Sequence, residues 1–153
     1  TFFRDRGDGS SFAMNNDALN RITFYDDAFS QPANGLWKTV FHEIGHNWEN
    51  ENPDWSEFKD LSGWTWRLTD PSPGDGYSES TGGNNWWYHS DAGFARDYGK
   101  DSPKEDFATT FGFYFMDFSG TDYSAFSGDV DHDETKSRLG DKYEFMADWI
   151  RTL

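Results

Sequence analysis

The chain has 153 residues, of which 35% are hydrophobic, and this size and composition fit a single domain, residues 1–153, with one modest core. Its 28 acidic residues outnumber its 13 basic residues and give a net charge of −15, which argues against a nucleic-acid partner because the acids would repel phosphate groups. The absence of cysteine excludes disulfide bonds and thiolate metal sites, so histidine and carboxylate are the strong metal ligands available.

Two short strands are predicted near the start of the chain. The first is Phe2–Phe3, and the second is Ile22–Tyr25, which contains β-branched and aromatic residues and is followed by Asp26 and Asp27. The second strand, if it lies beside a functional helix, could bind an extended substrate by pairing along its edge.

A helix is predicted from Asn34 to Trp48, bounded by Pro32 before it and by the polar stretch 49–53 after it. Gly45 inside this helix costs about 1 kcal/mol relative to alanine, and a small residue there would let another segment approach closely. The apolar residues recur at steps of three and four and form one stripe, which consists of Leu36, Trp37, Val40, Phe41, Ile44 and Trp48.

The border of this stripe carries the sequence His-Glu-Ile-Gly-His at residues 42–46. His42 and His46 are four residues apart, so they lie on one helix face and can bind the same ion. Glu43 projects beside that face, close enough to hold a metal-bound water and accept its proton. A chance match on an ordinary core helix is the alternative, which the surrounding sequence disfavours. The motif therefore predicts one catalytic zinc ion.

Residues 53–97 are rich in Gly, Pro, Ser and Trp and are predicted to form mainly loops, with turns at 71–76 and 81–85. Trp64–Leu68 is the one predicted strand. Because a loop region this long is usually functional, we expect it to form the cleft wall opposite the metal, with Trp86 and Trp87 as pocket residues. Alternatively, these tryptophans only attach the loops to the core.

A second helix is predicted to begin after Ser102, which is the expected N-cap, with Pro103 as the first helical residue. Glu105, Ala108 and Gly112 fall on one face, where the small residues leave room for the first helix. Another face is apolar and consists of Phe107, Phe111, Tyr114, Phe115 and Phe118.

A catalytic zinc ion normally has three protein ligands, and Glu105 is the predicted third ligand. The metzincin class is excluded, because Glu49 and Asn52 occupy the positions of its glycine and third histidine. The alternative role of Glu105 is a capping box with Ser102, in which each side chain binds the backbone amide of the other. Asp106 is the nearest alternative ligand, although it would more naturally cap the helix or contact a ligand without touching the metal. Other downstream candidates are Asp60, Asp70, Glu79, His89, Asp91, Asp97 and Asp122.

Residues 42–46, 98–99 and 105–108 together resemble the gluzincin metallopeptidases related to the catalytic domain of anthrax toxin lethal factor. The resemblance spans residues 34–118 and implies a compact zincin-like α+β domain with a metal-binding helix, a second ligand-bearing helix, a small sheet and long loops. Two features depart from the family. Thr109 stands where the family has a second glutamate, and 59 positions separate the second histidine from the third ligand.

The resemblance also implies a role for each matching residue. His42 and His46 would bind zinc together with Glu105, while Glu43 would act as the base. Tyr98 would stabilise the oxyanion, and a phenol donor near zinc can do so by several kcal/mol in a dry site. The alternative for Tyr98 is simple packing against the phenylalanine-rich helix.

The last predicted helix runs from Glu134 to Leu153, with Gly140 as its weak point. Residues 129–134 start like a calcium-binding EF-hand loop, but the turn glycine and the terminal glutamate of that loop are missing, so they are not an EF-hand. Ca²⁺ is therefore only a secondary candidate ligand. A plainer interpretation is that these acids stabilise the N-terminus of the last helix. We expect His132 to be solvated and His89 to order a loop or, alternatively, to contact substrate.

Together these features predict a small zinc-dependent endopeptidase that acts as a monomer on peptide or protein substrates. One alternative is a non-catalytic zinc-containing binding or toxin module that recognises glycans through exposed tryptophans. Another is a metal-dependent hydrolase of a non-peptide bond, because the histidine motif specifies activated water rather than an amide substrate.

No apolar stretch approaches the roughly 20 residues that cross a bilayer, and we therefore expect no membrane partner. The chain begins at Thr1 without a signal-peptide pattern, so we expect a mature form or an excised domain. A secreted, extracellular hydrolase fits these features.

Overall fold

The computed structural model describes residues 1–7, 9, 11–19, 21–49, 54–120 and 132–152. Within these ranges the chain forms an α+β fold with five α-helices and two three-stranded sheets. The helices are α1 (Ala33–Glu49), α2 (Trp55–Asp60), α3 (Pro103–Phe118), α4 (His132–Leu139) and α5 (Asp141–Ile150). The strands are β1 (Phe2–Asp5), β2 (Ala13–Asn16), β3 (Arg21–Tyr25), β4 (Thr65–Trp66), β5 (Tyr77–Glu79) and β6 (Trp86–His89). None of the helices in these ranges combines the length and the apolar composition that a membrane span requires.

Helix α1 confirms the helix predicted around the histidine motif and extends it by one residue at each end. The apolar residues of α1 pack against two parts of the fold. Leu36 and Val40 contact the first sheet, whereas Phe41 and Trp48 contact the aromatic core. The most buried positions are not in the apolar stripe but on a largely polar face, which carries Gly35, Thr39, His42, Glu43, Gly45 and Glu49. Buried polar groups need hydrogen-bond or charge partners, so this face indicates a binding site.

The first sheet has the order β1-β3-β2, with β1 parallel and β2 antiparallel to β3. Strand β3 is therefore central, and it buries Ile22 and Phe24 against α1. The expectation that Ile22–Tyr25 offers an edge to a substrate is wrong, because both of its sides are paired. The strand at the edge near α1 is β2, whose Asn15 donates from Nδ2 to the backbone oxygen of Glu43 at 2.8 Å.

Residues 54–97 are more ordered than the sequence predicts. They contain the short helix α2 and a second sheet with the order β4-β6-β5, whereas the sequence predicts a single strand there. The predicted strand Trp64–Leu68 is reduced to Thr65–Trp66. Trp64 itself is buried, and its ring packs on those of Tyr88 and Phe94. The interpretation that tryptophans attach this region to the core therefore holds for Trp64.

Helix α3 has the predicted start, with Pro103 as its first residue and Ser102 as its N-cap. Phe107 and Phe111 enter the aromatic core, whereas Phe118 at the end of the predicted apolar face is 77% exposed. The remaining buried members of this core come from α2 and α5 and are Phe58, Met146 and Trp149. The core thus joins three helices behind the face of α3 that meets α1.

The single helix predicted from Glu134 to Leu153 is wrong, because the chain forms α4 and α5 with Gly140 between them. Gly140 has a φ of 49°, a backbone conformation that glycine adopts readily and that ends a helix. Of the calcium candidate 129–134, residues 129–131 lie outside the described ranges. Asp133 and Glu134 lie in the first turn of α4, as the dipole interpretation expects.

His132 is not solvated, contrary to the sequence expectation. Its ring stacks on Phe113 with centroids 5.0 Å apart, and its Nε2 lies 2.7 Å from Oδ1 of Asp117. Asp117 also accepts from Lys136 and from the Tyr143 hydroxyl, so it joins α3 to α4 and α5. These contacts hold the pKa of Asp117 at about 2, although partial burial would raise it.

A buried ion pair between Asp106 and Lys142 ties α3 to α5. Asp106 is 0% exposed and Lys142 is 2% exposed, and Nζ of the lysine lies 2.8 Å from both carboxylate oxygens. Asp106 Oδ2 also accepts from Ser62 Oγ at 2.8 Å and from Trp64 Nε1 at 2.9 Å. The carboxylate therefore has a full set of donors and points into the core, so Asp106 is neither a cap nor a metal ligand.

We expect Lys142→Met to lower the free energy of unfolding by about 3–5 kcal/mol, because it leaves the Asp106 charge buried without a counter-charge. Urea unfolding measures this change. The matched control is Lys136→Met, whose half-exposed ion pair with Asp117 should contribute about 1 kcal/mol or less. Equal effects of the two substitutions would contradict the role given to the buried pair.

Candidate metal centre and its cleft

The structure brings the three predicted ligands His42, His46 and Glu105 together. Nε2 of His42 lies 3.2 Å from Nε2 of His46 and 3.2 Å from Oε2 of Glu105. The third side of this triangle, from His46 Nε2 to Glu105 Oε2, is 3.5 Å. In the part of the chain that the structure describes, this is the one group of three or more acidic or histidine side chains that could hold a metal ion.

The close approach of α1 to α3 is what brings Glu105 to the histidines. A Cβ atom at Gly45 would lie 3.0 Å from Cα of Ala108 and 3.2 Å from Cβ of Phe111, so a larger residue would push the helices apart. Gly112 lies against the backbone of His42 in the same interface. The predicted face of small residues on α3 is thus confirmed as the contact surface for the histidine helix.

The donor set fits a divalent cation. Tetrahedral zinc with bonds of about 2.0–2.1 Å separates its ligand atoms by about 3.3–3.5 Å, and the three measured separations are close to this range. Three acceptor atoms that converge in this way repel one another unless a positive charge lies among them. In the protein alone a proton on His46 supplies this positive charge. Contacts with Glu105 and Glu49 raise the pKa of His46 to about 10, although burial would lower it. Metal and proton would compete for the same place.

Glu105 uses its backbone and its carboxylate for different purposes. Its N–H donates to Oγ of Ser102 at 3.2 Å, which is the N-cap interaction of α3. Its carboxylate faces His42 and His46, whereas a capping box would require it to turn back to the N–H of Ser102. Contacts with the two histidines lower the pKa of Glu105, although burial would raise it, so the carboxylate is negatively charged.

Glu49 is a partner of the candidate ligand His46 that sequence reasoning missed. Its Oε2 lies 3.0 Å from Nδ1 of His46, and its other oxygen accepts from Lys104. A carboxylate in this position fixes the ring orientation of a metal-binding histidine and increases its basicity. The available signal was its position three residues after His46 on the same helix face.

Glu43 lies in the cleft beside the ligand triangle and is buried. Burial raises the pKa of its carboxyl group to about 7, and the opposing charge of His46 offsets this only in part. The hydrogen bond from Asn15 to the backbone oxygen of Glu43 holds α1 against β2 at this position. The carboxyl group therefore exchanges a proton more readily near neutral pH than an exposed glutamate would.

Tyr98 lies beside His42, with the two ring centroids 5.8 Å apart. Burial and the nearby negative charge of Glu105 raise the pKa of its hydroxyl to about 12, so the phenol stays protonated and can donate a hydrogen bond. The guanidinium of Arg96 lies 4.8 Å from the centroid of the Tyr98 ring. The structure thus places Tyr98 beside the triangle, as the family resemblance implies.

A cleft of about 660 Å³ opens over the triangle. One wall is β2, and the other is the second sheet, which contributes Trp66 and Trp86. Trp86 therefore lines the cleft as predicted, whereas Trp87 is absent from the lining and its ring lies under Arg67. The remaining lining residues are polar or charged and include Asn84, Ser102 and Lys104.

The other sequence candidates do not join the triangle. His89 packs against Tyr77, and its Nδ1 accepts from the backbone N–H of Asp91, which agrees with an ordering role in a loop. Asp106 faces the core, and Asp122 lies outside the described residues.

Comparisons of this chain with models of protein families, with curated proteins and with solved structures found no match. The resemblance to gluzincins and the zincin-like character of the α+β fold therefore stay predictions.

We expect Glu105→Ala to weaken zinc affinity by about 100-fold or more, because it removes one of three ligands. The matched control, Ser102→Ala, removes only the cap and should cost about 1 kcal/mol of stability while zinc affinity stays unchanged. Competition with a chromophoric chelator measures the affinity, and urea unfolding measures the stability. Full zinc affinity in the Glu105→Ala protein would restrict Glu105 to a capping role.

Proposed function

We propose that this protein is a zinc-dependent endopeptidase, which hydrolyses peptide bonds with an activated water molecule. The observation that carries the proposal is the ligand triangle of His42, His46 and Glu105, with side lengths of 3.2, 3.2 and 3.5 Å, beside the buried Glu43. Two imidazoles and one carboxylate are a ligand set of hydrolytic zinc sites, which leave a fourth position open.

His42, His46 and Glu105 would hold the ion, and Glu49 would orient His46 through its Nδ1 atom. A zinc ion in this place would act as a Lewis acid and lower the pKa of a water molecule from about 15.7 towards 7. Glu43 would accept the proton of that water as its oxygen bonds to the substrate carbonyl carbon, and would pass it to the amine as the C–N bond breaks. The Tyr98 hydroxyl would donate a hydrogen bond to the carbonyl oxygen, where negative charge develops.

The open edge of β2 supports a peptide as the substrate. The N–H of Tyr25 donates to the backbone oxygen of Phe12, so in this antiparallel pair alternate residues of β2 face β3. The backbone groups of Ala13 and Asn15 consequently face away from β3, and both residues line the cleft. An extended peptide could pair with these groups and present its carbonyl to Glu43.

A second candidate function is a non-catalytic zinc-containing module that binds glycans. Its support is the pair of tryptophans at the cleft wall, since aromatic faces bind sugar rings. However, the Trp66 and Trp86 rings pack edge-to-face on each other, with centroids 4.9 Å apart, which leaves less free aromatic face than a sugar platform needs. Peptidase activity is therefore the better supported proposal, while hydrolysis of a non-peptide bond, secretion and a monomeric state stay predictions.

We expect Glu43→Gln to retain zinc but to lose peptide hydrolysis by about 100- to 10,000-fold, because the amide cannot accept the proton of water. A quenched-fluorescence peptide library measures hydrolysis, and elemental analysis after dialysis measures zinc. Glu144→Gln on α5 is the control, which should hydrolyse peptides at the wild-type rate. Undiminished hydrolysis by the Glu43→Gln protein would rule out this mechanism.

Ala13→Pro tests the edge-pairing role of β2. Proline removes an N–H that faces the cleft and leaves the hydrogen bonds between β2 and β3 intact, so the fold should persist. We expect kcat/KM to fall about five-fold, the effect of one hydrogen bond of about 1 kcal/mol. Ala13→Ser keeps the N–H and serves as the control. If both proteins cleave peptides equally well, the substrate does not pair with this residue.

A further inference from the structure

A second, smaller cavity of about 230 Å³ adjoins the main cleft. Ala13, His42, Glu43 and Tyr98 line both cavities, so they form the boundary between them. A cavity of this size admits one side chain rather than a whole ligand of drug size. A group bound there would lie immediately beside the catalytic carboxyl group and the candidate oxyanion donor. The remaining lining residues are Ser11, Phe12, Lys38, Thr39 and Arg96.

The charge of the small cavity differs from that of the protein as a whole. Two of its lining residues, Lys38 and Arg96, are cationic, although the chain carries a net charge of −15. Burial lowers the pKa of Lys38 to about 8, and the positive charge of Arg96 adds to this effect. Both cations line the same cavity, and both would attract an anion bound there.

Arg96 has an incomplete set of hydrogen bonds. Its Nε atom is buried and has no hydrogen-bond partner among the described residues. The guanidinium lies over the ring of Tyr98, whereas Arg4, Arg67 and Arg151 each have a carboxylate partner. Nε of Arg21 is also buried without a partner among the described residues, but Arg21 does not line this cavity.

We propose that the small cavity binds a carboxylate group of the substrate next to the scissile bond, with Arg96 as its main partner and Lys38 as a second cation. A guanidinium binds a carboxylate through a planar pair of hydrogen bonds, and the bound group would meet the unfilled donor of Arg96. The carboxylate belongs either to an aspartate or glutamate side chain or to the C-terminus of the peptide, and in the second case the same site would remove C-terminal residues instead of cleaving within the chain. This inference rests on the proposed function, because it assigns the substrate class of the same site.

The test is peptide binding to the zinc-loaded Glu43→Gln protein, measured by calorimetry. The probes are capped alanine peptides that carry one glutamate, or one glutamine as its neutral isostere, at each position in turn. We expect the best glutamate peptide to bind about ten-fold more tightly than its glutamine counterpart. Adding Arg96→Gln should abolish this difference, and Arg96→Lys should retain part of it.

Arg151→Gln is the matched control, because it changes the net charge equally but lies on the surface, where it pairs with Asp148. It should leave the glutamate preference intact. Equal binding of glutamate and glutamine peptides, or a preference that survives Arg96→Gln, would overturn the proposal.

A further arm compares peptides with a free and an amidated C-terminus and identifies the source of the carboxylate. Tighter binding of the free form, lost in the Arg96→Gln protein, would assign the cavity to the chain end, and preference for internal glutamate would assign it to a side chain. Peptide cleavage by the wild-type chain is scored separately. Absence of cleavage would refute the endopeptidase proposal, while the binding comparison would still decide whether the cavity selects a carboxylate.

Discussion

The packing of α1 against α3 is the constraint on which the candidate centre depends. Gly45 allows the backbone of Ala108 to approach so closely that a Cβ atom would lie only 3.0 Å from its Cα. At this separation the carboxylate of Glu105 reaches both His42 and His46, although it follows them by about 60 positions in the chain. A wider interface would keep both helices but would separate the third ligand from the first two.

Helix α3 also directs two adjacent carboxylates in different directions. Successive residues of a helix are rotated by about 100°, so Glu105 faces the cleft while Asp106 faces the core. The donors on Asp106 come from two separate parts of the chain, since Ser62 and Trp64 lie just before β4 and Lys142 lies in α5. These bonds fix the rotation of α3 about its axis and thereby hold Glu105 in place. The buried ion pair thus supports the site as well as the fold.

The parts of the structure that the sequence predicts are those set by local chemistry. Helix α1 has a long apolar period and was predictable to within one residue at each end, and Ser102 and Pro103 made the start of α3 predictable. The second sheet was not, because its strands have two to four residues and depend on long-range pairing. Arg96 acquires its contacts only in the folded chain, whereas the position of Glu49 three residues after His46 was visible in the sequence. Gly140 was predicted only as a weak point of one helix, because the apolar period continues across it.

Trp66 and Trp86 line the cleft over the ligand triangle, whereas Arg96 lines the smaller cavity that shares His42, Glu43 and Tyr98 with it. X-ray absorption at the zinc edge on the zinc-loaded full chain tests whether His42, His46 and Glu105 bind one ion. We expect one zinc per chain, with nitrogen and oxygen ligands at about 2.0–2.1 Å and the scattering of two imidazoles. A chain that retains no zinc on dialysis, or a bound zinc without imidazole scattering, would contradict this expectation.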